Sequence, residues 1–286
     1  MHTLLTLVLA LSWAAEPPRD GPKAAAKPAA LDRLIQQLGS DDFGERQAAS
    51  KALEAAGEPA LPALWKAMSS EDAEVAKRAS TLVESILAGT KAAVERLGGE
   101  WSVRMSDPVE RAISVSLKGP KVQDADLALL RRLPSLGKLC LKDTGVTDEG
   151  LSILGGMKGL RYLQLAGSPV SDAGMGHLRG LVEVEHLDLE RTRVKGPGLA
   201  HLKRMAALRA LYLSETGVSD DDLAPLEGLT SLRDLGLAGT RVTDAGLAHL
   251  KGLKELRGLD LSGTQVSKAG VATLERVLSG VTIVHR

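Results

Sequence analysis

The chain has 286 residues, enough for two domains, with 36 basic and 36 acidic side chains. That balance argues against a dedicated nucleic-acid or anionic-membrane binder, which would carry a basic excess. Aromatic residues make up only 2%, so the core must be aliphatic, and a single cysteine, Cys140, rules out an intramolecular disulfide.

Residues 1–15 read as a secretory signal peptide. Leu4 to Trp13 is almost wholly apolar, too short to span a bilayer, and Ser12-Trp13-Ala14 offers small residues for cleavage after Ala14. No cysteine follows the apolar run, so a lipoprotein anchor is not expected. Residues 16–30, rich in Pro, Ala and Lys, read as a flexible linker.

Residues 31–98 read as a helical domain that repeats with an offset of 30. Leu31, Leu34 and Leu38 map onto Leu61, Leu64 and Met68, and Ser40-x-Asp42 maps onto Ser70-x-Asp72, an acidic helix start. Gly57 and Gly89 read as helix stops. These paired helices resemble HEAT-type repeats, although the offset is shorter than in that family. The resemblance implies a block that docks on the carboxy-terminal part of the chain and caps its first layer. Residues 99–111 read as a capping strand, Trp101 to Met105, and a turn at Asp107-Pro108.

From residue 112 to 286 the chain counts in twenty-fours. Equivalent aliphatics stand at Leu136, Leu160, Val184, Leu208, Leu232 and Leu256, with a weaker copy at Ala112. Within one copy, Leu235 and Leu237 have strand spacing, whereas Leu247, Leu250 and Leu253 have helical or 3₁₀ spacing. Gly239 and Thr240 lie between them at a turn, and Thr243-Asp244 marks a helix start: a hydroxyl for free N–H groups and an anion near the positive helix end. The same pair recurs at Thr147-Asp148, Ser171-Asp172 and Ser219-Asp220. One such unit cannot bury its own apolar side, so the copies must stack. The pattern bends at Pro120 and Asp126, at Lys195-Gly196-Pro197-Gly198 and at Asp222. The last segment, Val281 to Val284, reads as a terminal strand over the open core.

These repeats resemble the leucine-rich repeat family. The chain reads Leu160-x-x-Leu163-x-Leu165-x-x-Ser168-x-Val170, and again Leu208-x-x-Leu211-x-Leu213-x-x-Thr216-x-Val218. The family's Asn/Cys position holds Thr144, Ser168, Thr192, Thr216, Thr240 and Thr264, which suggests a ladder of hydroxyls bonding the neighbouring backbone. The T-x-V-[ST]-D-x-G-L segment looks like secreted bacterial members and is also similar to repeats of F-box adaptors. The resemblance implies an α/β solenoid, a horseshoe of seven repeats with a concave parallel sheet, preceded by the helical cap.

It also implies that strand residues between the leucines face the concave side, in three columns. There the chain's two tyrosines, Tyr162 and Tyr212, fall close to His186, Asp188 and Glu190, and these five are the expected partner-binding residues. Lys118, Lys138 and Lys142 lie on the first copies, whereas Asp188, Glu190, Asp234 and Asp260 lie further along, which suits a partner of opposite polarity. A column of Arg161, Arg209, Arg233 and Arg257, interrupted by Glu185, is a weaker candidate for gripping an anion.

His177, His201 and His249 share a helical column, but a ladder diverges and does not make a metal site. His186, Asp188 and Ser214 lack a nucleophile elbow, and no phosphate-binding glycine motif occurs. Neither catalysis, a metal nor a cofactor is expected. The expected function is therefore a non-enzymatic scaffold for a protein partner, secreted or periplasmic, monomeric, with no membrane span and no nucleic acid. The alternative is a substrate-recognition adaptor of the F-box kind, which would need an F-box ahead of the repeats and no signal peptide.

Overall fold

The structure, a computed structural model, describes residues 28–104, 112–133 and 136–285. The expected signal peptide, most of the expected linker and the Asp107-Pro108 turn lie outside the described residues. Helix α1 (Pro28–Gln37) begins three residues inside the expected linker and is followed by α2 (Phe43–Ala56), α3 (Leu61–Ala67) and α4 (Ala73–Arg96).

The offset of 30 is visible in the helix starts. The carboxylate of Asp42 accepts from the backbone N–H of Glu45 at 2.8 Å, and that of Asp72 accepts from Glu74 and Val75 at 2.9 and 3.2 Å. Each caps the second helix of a pair, satisfying N–H groups that have no intrahelical partner. The mapped residues Leu31 and Leu61, Leu38, Ala49 and Ala79, and Leu53 and Val83 are all buried. The helices thus form two hairpins, α1–α2 and α3–α4, packed on one another. Gly57 ends α2 as expected, but Gly89 stops nothing: α4 runs through it to Arg96. A mid-helix glycine costs only about 1 kcal/mol, which the packing of this long helix offsets.

Among the described residues a nine-stranded sheet follows, in sequence order: β1 (Glu100–Arg104), β2 (Ala112–Ser116), β3 (Leu136–Cys140), β4 (Tyr162–Gln164), β5 (His186–Asp188), β6 (Ala210–Tyr212), β7 (Asp234–Gly236), β8 (Gly258–Asp260) and β9 (Thr282–Val284). The first pair is antiparallel, with Trp101 opposite Val115, and every later pair is parallel. The register holds because each coil has the same length. Leu139, Leu163, Leu187, Leu211, Leu235 and Leu259 pair directly along the sheet, and each is at most 2% exposed. Burying one such side chain stabilises by about 1.5–3 kcal/mol, and no coil achieves it alone.

Each coil returns through short helical structure on the opposite side, a single segment in every coil but one, where α7 runs on into a 3₁₀ turn at Ala200–Arg204. Four are α-helical, α5 (Asp148–Leu154), α6 (Asp172–Leu178), α7 (Gly196–Leu199) and α8 (Lys268–Val277), whereas Asp124–Arg132, Asp221–Leu226 and Gly246–Leu250 are 3₁₀. The turn after each strand takes a left-handed conformation at one position per coil. Glycine stands there at 119, 167, 239 and 263, and Asp143, Arg191 and Glu215 hold φ between 53° and 56°.

The hydroxyl ladder forms, but mostly within coils. Thr192, Thr216, Thr240 and Thr264 each donate to the carbonyl three residues back, at 2.6–2.7 Å. Thr144 and Ser168 both donate to the Leu141 carbonyl at 2.8 Å, and their Oγ atoms are 2.9 Å apart, which ties two coils together.

The helical block joins the solenoid at its first coil. Gly99 permits this: a Cβ there would meet Leu117, the Ser116 carbonyl and Val94 of α4 at once. One continuous apolar core results, running from Leu31 to Leu278. At the far end, β9 pairs in parallel with β8 as the terminal strand.

Candidate interaction surface

The sheet lifts side chains from its open face between buried leucines, because strand residues alternate in direction. One column runs Lys138, Tyr162, His186, Ala210, Asp234 and Gly258, each paired with the next. Beside it run Cys140, Gln164, Asp188, Tyr212, Gly236 and Asp260. Tyr162 and Tyr212 are 38% and 37% exposed, among the few large apolar side chains left open to solvent.

The five expected residues fall into two groups joined through β5. In the first, the rings of Tyr162 and His186 stack with centroids 4.3 Å apart and planes within 10°. Lys138 Nζ lies 5.8 Å from the Tyr162 ring centroid, so three successive coils contribute to one line of contact. Burial holds the imidazole of His186 below its ordinary pKa of 6.5, against the opposing pull of Glu185 and Asp234. The stacked ring is therefore favoured in its neutral form.

In the second group, Asp188 stands opposite Tyr212 in the strand register. Its Oδ1 accepts the Glu190 backbone N–H at 3.1 Å. Burial raises the Asp188 carboxyl above its ordinary 3.8, the Glu190 N–H opposes this, and the charge of Glu190 adds to it. The Tyr212 phenol is raised above 10.0, first by burial and then by the carboxylates of Asp234, Asp188 and Glu190. At Tyr212 the three carboxylates thus act in the same direction as burial.

The arginine column is already engaged at its start. Arg161 Nη1 and Arg209 Nη1 each lie 3.2 Å from an oxygen of Glu185, so the residue that seemed to break the series bridges two of its members. That bridge leaves Arg161 and Arg209 poorly suited to grip an anion. On the helical side, His249 Nδ1 lies 2.6 Å from Glu227 Oε1. Among the described residues, no three His, Cys, Asp or Glu side chains gather to hold a metal ion.

A groove at the first coils was not foreseen from the sequence. It has a volume of about 510 Å³ and is lined by Lys118, Lys138 and Lys142, by the strand residues Ser114 and Ser116, and by Cys140. Its outer wall is Glu100, Trp101 and Ser102 of β1. The lysines were visible as a cluster in sequence, but the wall depends on the antiparallel register of β1 on β2, which no repeat predicts. Lys118 Nζ reaches Glu100 Oε1 at 4.0 Å, a weak exposed pair. Cys140 lines the groove yet is 5% exposed.

No protein-family model matches the chain, and no curated protein does. Among solved structures, an internalin C2 from Listeria monocytogenes is similar, 19% identical, with 70% of this chain and 92% of that chain covered and a TM-score of 0.46. An internalin (inlF) of the same organism is 18% identical, covering 70% of this chain and 74% of that one, with a TM-score of 0.38. The chain's own geometry defines its fold: coils of equal length paired in parallel from β3 onward, stacked over an aligned leucine spine and capped by helices, form a leucine-rich repeat solenoid.

Proposed function

We propose that the chain is a non-enzymatic scaffold that captures a protein partner on the concave face of its sheet. Tyr162, His186, Asp188, Glu190 and Tyr212 form the centre of the contact. The observation that carries this reading is the exposure of both tyrosines on a face whose neighbouring leucines are fully buried. Tyrosine supplies a large contact area at little conformational cost, and a rigid sheet offers it preorganised. The helical hairpins, similar in sequence to HEAT repeats, serve in this reading as a cap for the first coil. Removal of residues 1–15 on export would place the scaffold outside the cytoplasm, as a secreted or periplasmic monomer.

The test compares the proteins retained by the immobilised chain with those retained by the Tyr162→Ala, Tyr212→Ala double variant and by a His177→Ala, His201→Ala variant of the helical side. The expected result is loss of the same captured proteins with the first variant and full retention with the second. Equal capture by all three would contradict the assignment of the concave face. Both tyrosines are more than a third exposed, so their truncation leaves the leucine spine intact.

A further inference from the structure

The concave face is chemically divided along its length, and the division lies at fixed positions in the fold. On β2 and β3 and just beyond them the groove presents three ammonium groups, Lys118, Lys138 and Lys142, with Ser114 and Ser116; the one carboxylate on its wall, Glu100, lies 4.0 Å from Lys118, so the lining keeps a net positive charge. At β5 to β7 the partly exposed Tyr212 stands opposite Asp188 in the register, with Glu190 two residues beyond Asp188 and Asp234 paired with Ala210, two residues before Tyr212. The first region attracts carboxylates; the second offers an aromatic face and three anions to a cation. Between them stands the Tyr162–His186 stack, which contributes apolar surface and no fixed charge opposed to either end.

We infer that this face recognises a protein segment carrying a cluster of carboxylates in the β2–β3 groove and a basic side chain over Tyr212, at a set distance. This rests on the concave-face reading above and makes its partner chemically specific. The distance follows from the sheet. Three strand steps separate β3 from β6, and neighbouring strands lie about 4.8 Å apart, so the two seats are about 14 Å from one another. An extended segment covers that span in about four residues at about 3.3 Å each. The two seats have opposite polarity, so a segment carrying only one sign of charge is attracted at one end and repelled at the other.

Fluorescein-labelled peptides with a polyproline spacer give a ruler, because that helix advances about 3.1 Å per residue. Each carries Asp-Asp-Glu, then zero, four or ten prolines, then Arg, and binding to the full chain is read by fluorescence anisotropy. The four-proline peptide is expected to bind about tenfold more tightly than the other two, because only it engages both seats at once. Lys138→Glu with Lys142→Glu, and separately Tyr212→Ala, are each expected to weaken that peptide by about tenfold or more, and to level the three spacers. Thermal unfolding of each variant, unchanged from the parent, excludes misfolding as the cause.

Equal affinity for all three spacers, or binding of the four-proline peptide untouched by the lysine reversals, would overturn the two-seat inference. So would stronger binding of an all-acidic or all-basic peptide. If these peptides fail while captured proteins still depend on Tyr162 and Tyr212, the two-seat rule falls and the concave-face reading stands. If the tyrosine dependence fails as well, both fall.

Discussion

Asp188 shows how a single carboxylate is tuned by its place on the sheet. It is drawn into partial burial between the fully buried Leu187 and Leu189, yet keeps one N–H donor, that of Glu190. The folded chain therefore binds its proton more tightly than the unfolded chain does, since its carboxyl lies above the ordinary 3.8. Its stabilising contribution is complete below that ordinary value and is lost as pH rises through the folded one. Asp188→Asn mimics the protonated form and can still accept the Glu190 N–H. Equilibrium unfolding is expected to show the variant more stable than the parent at pH 7, with the difference vanishing below pH 3.8. A variant less stable at pH 7 would contradict the burial argument. A carboxylate kept at this cost on an open face is consistent with use in binding.

At the level of the coil, the Ser/Thr-Asp pair divides its work differently from a simple helix start. The hydroxyl does cap its own helical segment, as when the Glu149 N–H donates to Thr147 Oγ1 at 3.3 Å. The aspartate reaches forward instead. Asp148 accepts from the Ser171 N–H at 2.7 Å and from its hydroxyl at 2.6 Å, and Asp124, Asp220 and Asp244 do the same to Thr147, Thr243 and Ser267. Asp172 reaches the N–H groups of Lys195 and Gly198. The glycine of the recurring segment makes room for this clamp: a Cβ on Gly150, Gly174, Gly198, Gly246 or Gly270 would collide with the previous coil's carboxylate.

The two copies with aspartate at the glycine position are explained by the same geometry. Where position 196 is glycine and offers no clamp, Asp222 of the next coil fills that space and accepts from its own Ser219 N–H at 2.8 Å and hydroxyl at 2.9 Å. In the first coil, where position 100 is a glutamate on β1, Asp126 accepts the Gln123 N–H at 2.8 Å. Asp148→Gly alone is expected to cost about 2 kcal/mol through two lost charge-assisted bonds. Gly174→Asp alone is expected to cost a similar amount, about 1–3 kcal/mol, through overpacking. The double variant is expected to recover at least about 1 kcal/mol of their sum, measured by denaturant unfolding. Strict additivity would contradict the exchange.

This is also where the sequence stopped being legible. The period of 24, the leucine spine, the strand and helical halves of each coil and the terminal strand all follow from spacing, because identical layers require identical side chains at identical intervals. The hydroxyl ladder follows from burial of a polar residue next to a free carbonyl. The clamp does not, since its partners lie 23 residues apart in different copies and each also has a local reading. In sequence, Asp126 and Asp222 stand only as places where the pattern bends. The concave columns were readable by counting. The groove was not, because β1 lies outside the repeat and its pairing with β2 reverses direction.

Across the whole molecule, every coil is fixed to the next by strand pairing, by the shared leucine layer and, in most copies, by an aspartate clamp. The face that results has its side chains set by the backbone rather than by loops, and carries lysines at one end and carboxylates further along. Under the proposed function, such a surface would recognise its partner by complementarity. The most direct measurement is chemical footprinting of the full chain, alone and with a captured protein bound, reading tyrosine and histidine modification by mass spectrometry. Protection of Tyr162, His186 and Tyr212, with His177 and His201 modified as in the free chain, is the predicted result. Protection of His177 and His201 with both tyrosines still reactive would contradict it.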